Sequence, residues 1–304
     1  KVIESPANRI TMEDEVIGGF WIDYLNYSAS CLNYMVGLDY SVTPLSQLQN
    51  HPYAIEALFR NEGTSSQTVN LEYDVTGTMY SGSSLPQVLN PGDSAFLGAS
   101  FSPATTGSYT IDIWGVADSA GAGVTSTLSN METREIQVTD YIYGKDLGVN
   151  NSSSYILGGL EDQNHITTRF EMYADEQLYS LRIYIASDSD IGAEVKAIIY
   201  ELDTTSTSGG VMFLAESDNY TLTAQDLGSW IDIPFVDPIS LTNGCAYEFG
   251  AVGFQHPTLE SHVGTSGQSL YNGEHSLFDE LGLSSSSAGT PTWYYITTTP
   301  MVRM

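Results

Sequence analysis

The chain has 304 residues, of which 41% are hydrophobic and 15% charged, and its formal net charge is −28. This composition predicts ordered globular structure, and the length is sufficient for two domains. Because 9 Lys and Arg residues stand against 37 Asp and Glu residues, nucleic acid and anionic membrane surfaces are poor partners. The acidity serves either solubility in salty water or cation binding.

The cysteines, the longest apolar runs and the first residues of the chain indicate in which cellular compartment the protein is expected. Cys31 and Cys245 lie far apart in sequence, which excludes a small disulfide framework and leaves two buried thiols or a bridge between domains. No run of 18 apolar residues is present, so we expect no membrane span. A start at Lys1 without a signal-type apolar region suits an exported chain from which the signal has been removed.

The first domain is predicted at residues 1–139. Its N-terminal part contains aromatic, strand-like runs, and residues 16–27 are either a first strand of this domain or a strand donated to another chain. Apolar and polar residues then alternate with the period of half-buried strands, and corner-forming Asn, Gly and Pro lie between. These predicted strands are residues 53–60, 69–75, 109–116 and 133–138. The pattern predicts an immunoglobulin-like β-sandwich with an N-terminal extension.

Four short motifs resemble the adhesion-type sandwich domains called CARDB. They are FRNEG at 59–63, LNPGD at 89–93, FSP at 101–103 and GSYTI at 107–111. The resemblance covers about 90 residues and consists of turn chemistry, so it implies a fold more than a function.

The second domain is predicted at residues 140–304, where another series of short strands suggests a jelly-roll-like sandwich. The predicted strands are residues 167–172, 180–186, 194–202, 211–216, 230–234, 246–254 and 292–298. The stretches LGSWIDIPF at 227–235 and GTSG at 264–267 resemble jelly-roll modules of proteins exported by the Bacteroidetes type IX secretion system. That resemblance implies an extracellular or cell-surface location. The predicted fold class is therefore all-β, with two tandem β-sandwich domains.

The sequence contains none of four common catalytic or nucleotide-binding motifs. The nucleophile elbow G-x-S-x-G, the metalloprotease motif H-E-x-x-H, the P-loop and the dinucleotide fingerprint are missing from the sequence. His256, His262 and His275 fall close together with Glu260 and Glu274, and exposed loop histidines are the favoured interpretation over a zinc site. We therefore expect a protein that is not an enzyme.

Three kinds of binding or modification site are candidates. Asp188, Asp190 and Glu194 surround a glycine turn and are either calcium ligands or solvated turn carboxylates. Consecutive aromatic residues suggest a glycan platform, and Asp-Ser/Thr-small sequences resemble O-glycosylation sites of exported Bacteroidetes proteins. The platform residues are Trp293, Tyr294 and Tyr295, and the glycosylation residues are Ser94, Ser119 and Thr204. Trp114 and Trp230 are predicted to lie in the core.

These observations favour a non-catalytic extracellular structural or adhesive protein. It would assemble with copies of itself into a polymer by strand addition, with residues 16–27 as the donor. The alternative is a glycan-binding accessory module of a secreted enzyme, with a surface glycan as partner. No cofactor is expected apart from a structural calcium ion.

Overall fold

The computed structural model describes residues 10–13, 40–61, 66–118, 125–127, 131–203, 210–268, 275–282 and 290–304. Within them the regular secondary structure is almost entirely β-strand, and the predicted all-β, sandwich-like fold is confirmed. The described residues divide into two compact units, one of residues 10–140 and the other of residues 141–304.

The first unit contains two sheets and a four-residue helix, α1 (Leu45–Leu48). Its strands are β1 (Ile10–Glu13), β2 (Val42–Pro44), β3 (Tyr53–Asn61), β4 (Gln67–Val75), β5 (Ser81–Ser83), β6 (Gln87–Leu89), β7 (Ser94–Phe101), β8 (Gly107–Asp118), β9 (Thr125–Thr127) and β10 (Glu132–Thr139). One sheet has the order β1-β3-β7, and the other has the order β2-β10-β8-β4-β5, with β6 and β9 added to β4 and β8.

Alternating side chains build the core of the first unit. In β3 and β4 every second residue is buried, as period-2 strands with one buried face require. Phe101 at the end of β7 is 1% exposed and packs edge-to-face against Tyr80 and Tyr109, with ring centroids 5.2 and 5.3 Å away. Such edge-to-face pairs stabilise a core beyond the area that they bury.

The predicted corner at 89–93 is confirmed and precedes β7. Asp93 accepts hydrogen bonds from the backbone and side-chain nitrogens of Asn90, both at 3.0 Å. Gly92 has a φ of +87°, a left-handed conformation that glycine adopts without strain. Its N–H donates to the carbonyl of Asn61 over 2.7 Å, so the corner is fixed to the end of β3. This contact sets the register in which β7 returns along β3.

The second unit also contains two sheets. Its strands are β11 (Ser153–Gly158), β12 (Asn164–Glu171), β13 (Glu176–Ile185), β14 (Glu194–Asp203), β15 (Gly210–Glu216), β16 (Tyr220–Thr221), β17 (Ser229–Leu241), β18 (Ala246–Gly253), β19 (Ser261–Gln268), β20 (His275–Asp279), β21 (Thr292–Tyr295), β22 (Thr298–Pro300) and β23 (Val302–Arg303). The first sheet has the order β11-β19-β13-β17, with β22 and β23 added to β19 and β13. The second has the order β15-β14-β18-β12-β20-β21, with β16 added to β14.

Strand β12 lies inside the second sheet and is buried along its whole length. Its polar side chains have polar partners, as burial away from water requires. Thr167 Oγ1 donates to Glu248 Oε2 over 2.7 Å, and Arg169 Nε donates to Glu171 Oε1 over 3.0 Å. The second unit therefore carries a hydrogen-bonded polar layer within its sheet.

Candidate functional site

The outer edge of β7 is the first candidate surface. On its inner side β7 pairs with β3 without a break in register, from Phe101 opposite Tyr53 to Ser94 opposite Arg60. Among the described strands, none pairs with its other side. The sequence SAFLGASF contains no charge and no proline, and Phe96 is 52% exposed. Charges, prolines and bulges are the features that usually protect sheet edges, so this edge is open to pairing with another strand.

The predicted aromatic platform lies on β21. Because side chains alternate along a strand, Trp293 and Tyr295 share one face of the sheet and Tyr294 lies on the other. The Trp293 ring stacks on Phe278 at a centroid distance of 4.8 Å and meets Tyr200 edge-on at 5.3 Å. Tyr295 is 77% exposed. The Trp293 indole is thus held by packing against other rings, whereas Tyr295 faces solvent.

A buried histidine lies beside this aromatic cluster. His165 Nδ1 is 2.6 Å from the Tyr200 hydroxyl, and His165 Nε2 is 3.1 Å from Glu280 Oε2. Burial lowers the pKa of His165 and raises the pKa of Tyr200, so both side chains are neutral at neutral pH. A neutral imidazole has one donor and one acceptor nitrogen, and this pair of partners fixes the ring between β14 and the end of β20.

The second candidate surface is a groove of about 470 Å³ on the outer face of the β11-β19-β13-β17 sheet. We call it the tyrosine groove, because two exposed tyrosines line it: Tyr141 is 84% exposed and Tyr179 is 64% exposed. The remaining lining residues are Ile142, Gln177, Leu178, Ser180, Arg182, Asp232 and Met304. Both tyrosine side chains are largely exposed to solvent, so both are available to a ligand.

An ion pair lies between strands β13 and β17 in the tyrosine groove. Arg182 Nε and Nη2 donate to the two carboxylate oxygens of Asp232 over 2.7 and 2.9 Å. The hydrogen bond from Arg182 lowers the pKa of Asp232, and the same bond raises the pKa of Arg182. Both side chains are therefore charged at neutral pH, and their charges cancel.

A β-bulge places Tyr179 in the groove. The register between β13 and β17 shifts between Leu178 and Ser180, where Tyr179 of β13 lies opposite the four residues 235–238 of β17 and outside the regular pairs. Leu178 is 7% exposed whereas Tyr179 is largely in solvent. This surface was not predicted from the sequence because an irregular register interrupts the alternation from which strand faces are predicted.

The three predicted calcium residues have separate hydrogen-bond partners. Asp188 accepts from Ser154 Oγ at 2.8 Å, Asp190 accepts from the Glu260 backbone at 2.9 Å, and Glu194 accepts from Asn219 at 3.1 Å. In the described part of the chain, no three acidic, histidine or cysteine side chains form a metal-binding group. Calcium binding here stays a prediction.

Of the predicted O-glycosylation residues and cysteines, Ser94 and Cys245 lie among the described residues. Ser94 is exposed at the start of β7 and is accessible to modification, whereas Ser119 and Thr204 lie outside the described residues. Cys245 is 7% exposed, and Cys31 and the segment 16–27 also lie outside the described residues.

Two predictions about aromatic and histidine residues are wrong. Trp114 and Trp230 are not in the core; each is half-buried on an outer sheet face, because it alternates with the buried residues of its strand. Trp114 donates to Glu72 over 3.1 Å, and the Arg303 guanidinium covers Trp230 at 4.7 Å from its centroid. His275 is not an exposed loop residue, since it lies in β20 and is fully buried.

None of the described helices is long and apolar enough to cross a membrane. Comparison with known proteins finds no matching family model and no curated protein with significant sequence similarity.

Proposed function

We propose that this protein is a non-catalytic extracellular structural or adhesive protein that joins to further copies by strand addition at β7. The observation that carries the proposal is the open edge of that strand. Its eight residues are continuous in register and uncharged, and they leave backbone N–H and C=O groups available to an incoming strand.

Residues 16–27 are the donor in this proposal. Their sequence, VIGGFWIDYLNY, contains one charged residue, Asp23, and is rich in β-branched and aromatic residues that favour strands. At 12 residues it is long enough to cover the eight residues of β7. Exposed Phe96 would supply an apolar contact for the aromatic side chains of the donor.

The order of strands favours an open polymer over a closed dimer. Strand β1, which directly precedes the donor in sequence, lies at one edge of the three-stranded sheet, and β7 lies at the other edge. The strand that precedes the donor and the acceptor strand are thus opposite edges of the same sheet. Contacts between different surfaces are heterologous and propagate from copy to copy unless a rotation closes the ring.

The strand orders also support the finer fold assignments. The first unit sets β1-β3-β7 beside β2-β10-β8-β4-β5, an arrangement compatible with an immunoglobulin-like sandwich of the CARDB type. The antiparallel sheets of the second unit are compatible with a jelly-roll-like sandwich. The type IX-like sequence stretches support a location outside the cell, on its surface.

Analytical ultracentrifugation and electron microscopy of the purified full chain test strand addition. The variants are a deletion of residues 1–27, Phe96→Lys on the β7 edge, and the control Met79→Lys at a fully exposed turn of the same unit. The wild type and Met79→Lys should form concentration-dependent polymers, whereas the other two variants should stay monomeric. Because each protein copy is acidic, assembly should strengthen with salt, which screens repulsion between copies.

The two lysine substitutions change the net charge of the protein in the same direction, so their effects on assembly can be compared directly. Each lowers the net negative charge, so loss of assembly in Phe96→Lys cannot come from increased repulsion between copies. A wild type that is monomeric at all concentrations and salt strengths would overturn the proposal. Polymers of Phe96→Lys with wild-type length would do so as well.

A further inference from the structure

We infer that the tyrosine groove of the second unit binds a neutral saccharide chain. This inference concerns another surface than β7 and goes beyond assembly by strand addition. It gives a glycan-binding role to Tyr141, Tyr179, Arg182 and Asp232, which the sequence did not identify as a site.

The side chains in the groove match the two kinds of surface that a pyranose ring presents. One is the apolar C–H face, which packs on aromatic rings, and exposed Tyr141 and Tyr179 supply such rings. The other is the rim of hydroxyl groups, which needs donors and acceptors in fixed positions. A guanidinium has five N–H donors, and the pair with Asp232 uses two of those on Arg182.

The ion pair supplies rigidity. Its bidentate geometry holds the guanidinium and carboxylate planes in place before a ligand arrives, which reduces the entropy lost on binding. The register shift lies at Tyr179, and bulges occur preferentially next to functional sites because they redirect a side chain.

The charge balance selects a neutral ligand. Arg182 and Asp232 neutralise each other, and the other lining side chains carry no charge. Neither a basic nor an acidic ligand would find an unpaired opposite charge in the groove. An acidic polysaccharide would in addition meet the net charge of −28 of the whole chain.

The sheet topology disfavours an extended peptide as the occupant. At Arg182, strand β13 pairs with Asp232 of β17 on one side and with Arg303 of β23 on the other, so the backbone beside the ion pair is already used in the sheet. A peptide could not add as a strand beside Arg182 and would have side chains alone to bind there. A saccharide needs only side chains.

The experiment uses the full chain on an array of neutral hexasaccharides: β-1,4-glucan, β-1,3-glucan, β-1,4-xylan, α-1,4-glucan and chitin fragments, with alginate hexamers as the acidic comparison. Binding to the best neutral probe is then quantified by isothermal titration calorimetry. The variants are Tyr141→Ala, Tyr179→Ala and Arg182→Ala. The matched control is Tyr295→Ala, which removes another exposed tyrosine, 77% exposed, from the same unit.

We expect binding to at least one neutral probe, with weaker binding to alginate. Loss of either groove tyrosine should weaken affinity by about tenfold, the equivalent of one stacked aromatic contact. Tyr295→Ala should bind like the wild type. Phe96→Lys should also bind like the wild type, so failure of strand addition and failure of saccharide binding can be told apart.

Three results would overturn the inference. The first is a wild type that binds no neutral saccharide. The second is unchanged binding by both groove-tyrosine variants. The third is loss of binding in Tyr295→Ala alone, which would move the site to the predicted platform on β21. Because Tyr141 and Tyr179 are solvent-exposed, their alanine variants should fold, and circular dichroism checks this.

Discussion

Arg303 forms a bidentate ion pair with Asp146, with Nε to Oδ2 and Nη2 to Oδ1 both at 2.7 Å. The Asp146 carboxylate is fully buried, and the face of the guanidinium lies on the Trp230 ring. The pair joins residues separated by 157 positions, the start of the second unit and its last strand. It therefore holds both ends of this unit to the same sheet.

Replacing Asp146 should destabilise the second unit strongly. Asp146→Asn keeps the shape of the side chain but leaves the Arg303 charge without its counter-ion, which costs about 3 kcal/mol for a pair buried to this degree. The control is Asp232→Asn, which breaks the other bidentate pair of this sheet, where the side chains are 41% and 54% exposed. It should cost at most about 1 kcal/mol because solvent screens exposed pairs. Urea unfolding measures both, and equal losses would contradict the buried role of Asp146.

The buried Phe101 and the half-exposed Phe96 of β7 should also differ in how much each contributes to the free energy of unfolding. Phe101→Ala removes a ring packed among three tyrosines in the core, and should lower the free energy of unfolding of the first unit by about 3–5 kcal/mol. Phe96→Ala removes a half-exposed ring and should cost about 1 kcal/mol or less. Hydrogen exchange of peptides from β3 and β8 reports on this unit alone. Similar exchange rates in the two variants would show that β7 is not anchored by Phe101.

Strand positions could largely be predicted from the sequence because alternation and corner residues are local signals. Residues 53–60 were predicted as a strand, and β3 spans Tyr53–Asn61. Strand β7 was missed, since SAFLGASF is rich in small residues and contains none of the β-branched residues that favour strands. Its position depends on packing of Leu97 and Phe101 against the other sheet, which is tertiary information.

The buried polar layer and the tyrosine groove could not be predicted, because both depend on contacts between residues that are distant in sequence. The burial of polar residues such as Thr167 in β12 depends on partners from other strands, as in the hydrogen bond from Thr167 to Glu248. The tyrosine groove depends on an irregular register between β13 and β17 and on Asp232, which lies 50 positions after Arg182. A single sequence does not show which distant residues form pairs.

A methyl group at Gly253 should separate two strands of the second unit. A Cβ at this position would lie 2.3 Å from the backbone nitrogen of Gly158 and from the backbone carbonyl carbon of Leu157. Backbone atoms cannot move aside as a flexible side chain can, so Gly253→Ala should cost about 1–3 kcal/mol. Gly98→Ala is the control, because its nearest neighbour is the flexible side chain of Glu56 at 3.3 Å. Thermal unfolding should show a lower Tm for the first variant, and a wild-type Tm for Gly253→Ala would contradict the close approach.

The stability of the second unit should fall in mild acid because of His275. Its ring is fully buried, and Thr168 Oγ1 lies 2.7 Å from its Nδ1. Burial, together with the positive charges of Lys145 and Arg169, lowers the pKa of His275 well below its ordinary value. In the unfolded chain a histidine titrates near pH 6.5. Below that pH the unfolded state gains a proton that the folded state does not, so unfolding becomes more favourable as the pH falls.

Comparison with His275→Gln isolates this contribution, since glutamine does not titrate and the carboxylates are the same in both proteins. Between about pH 7.5 and 5.5 the wild type should lose about 1 kcal/mol more stability than the variant in urea unfolding, given a limit of about 1.4 kcal/mol per pH unit for one proton. NMR gives a direct check: the His275 ring signal of the folded protein should stay at its neutral position over this range. A folded-state titration midpoint near 6.5 would mean that solvent or a counter-charge reaches the ring, which its complete burial in β20 excludes.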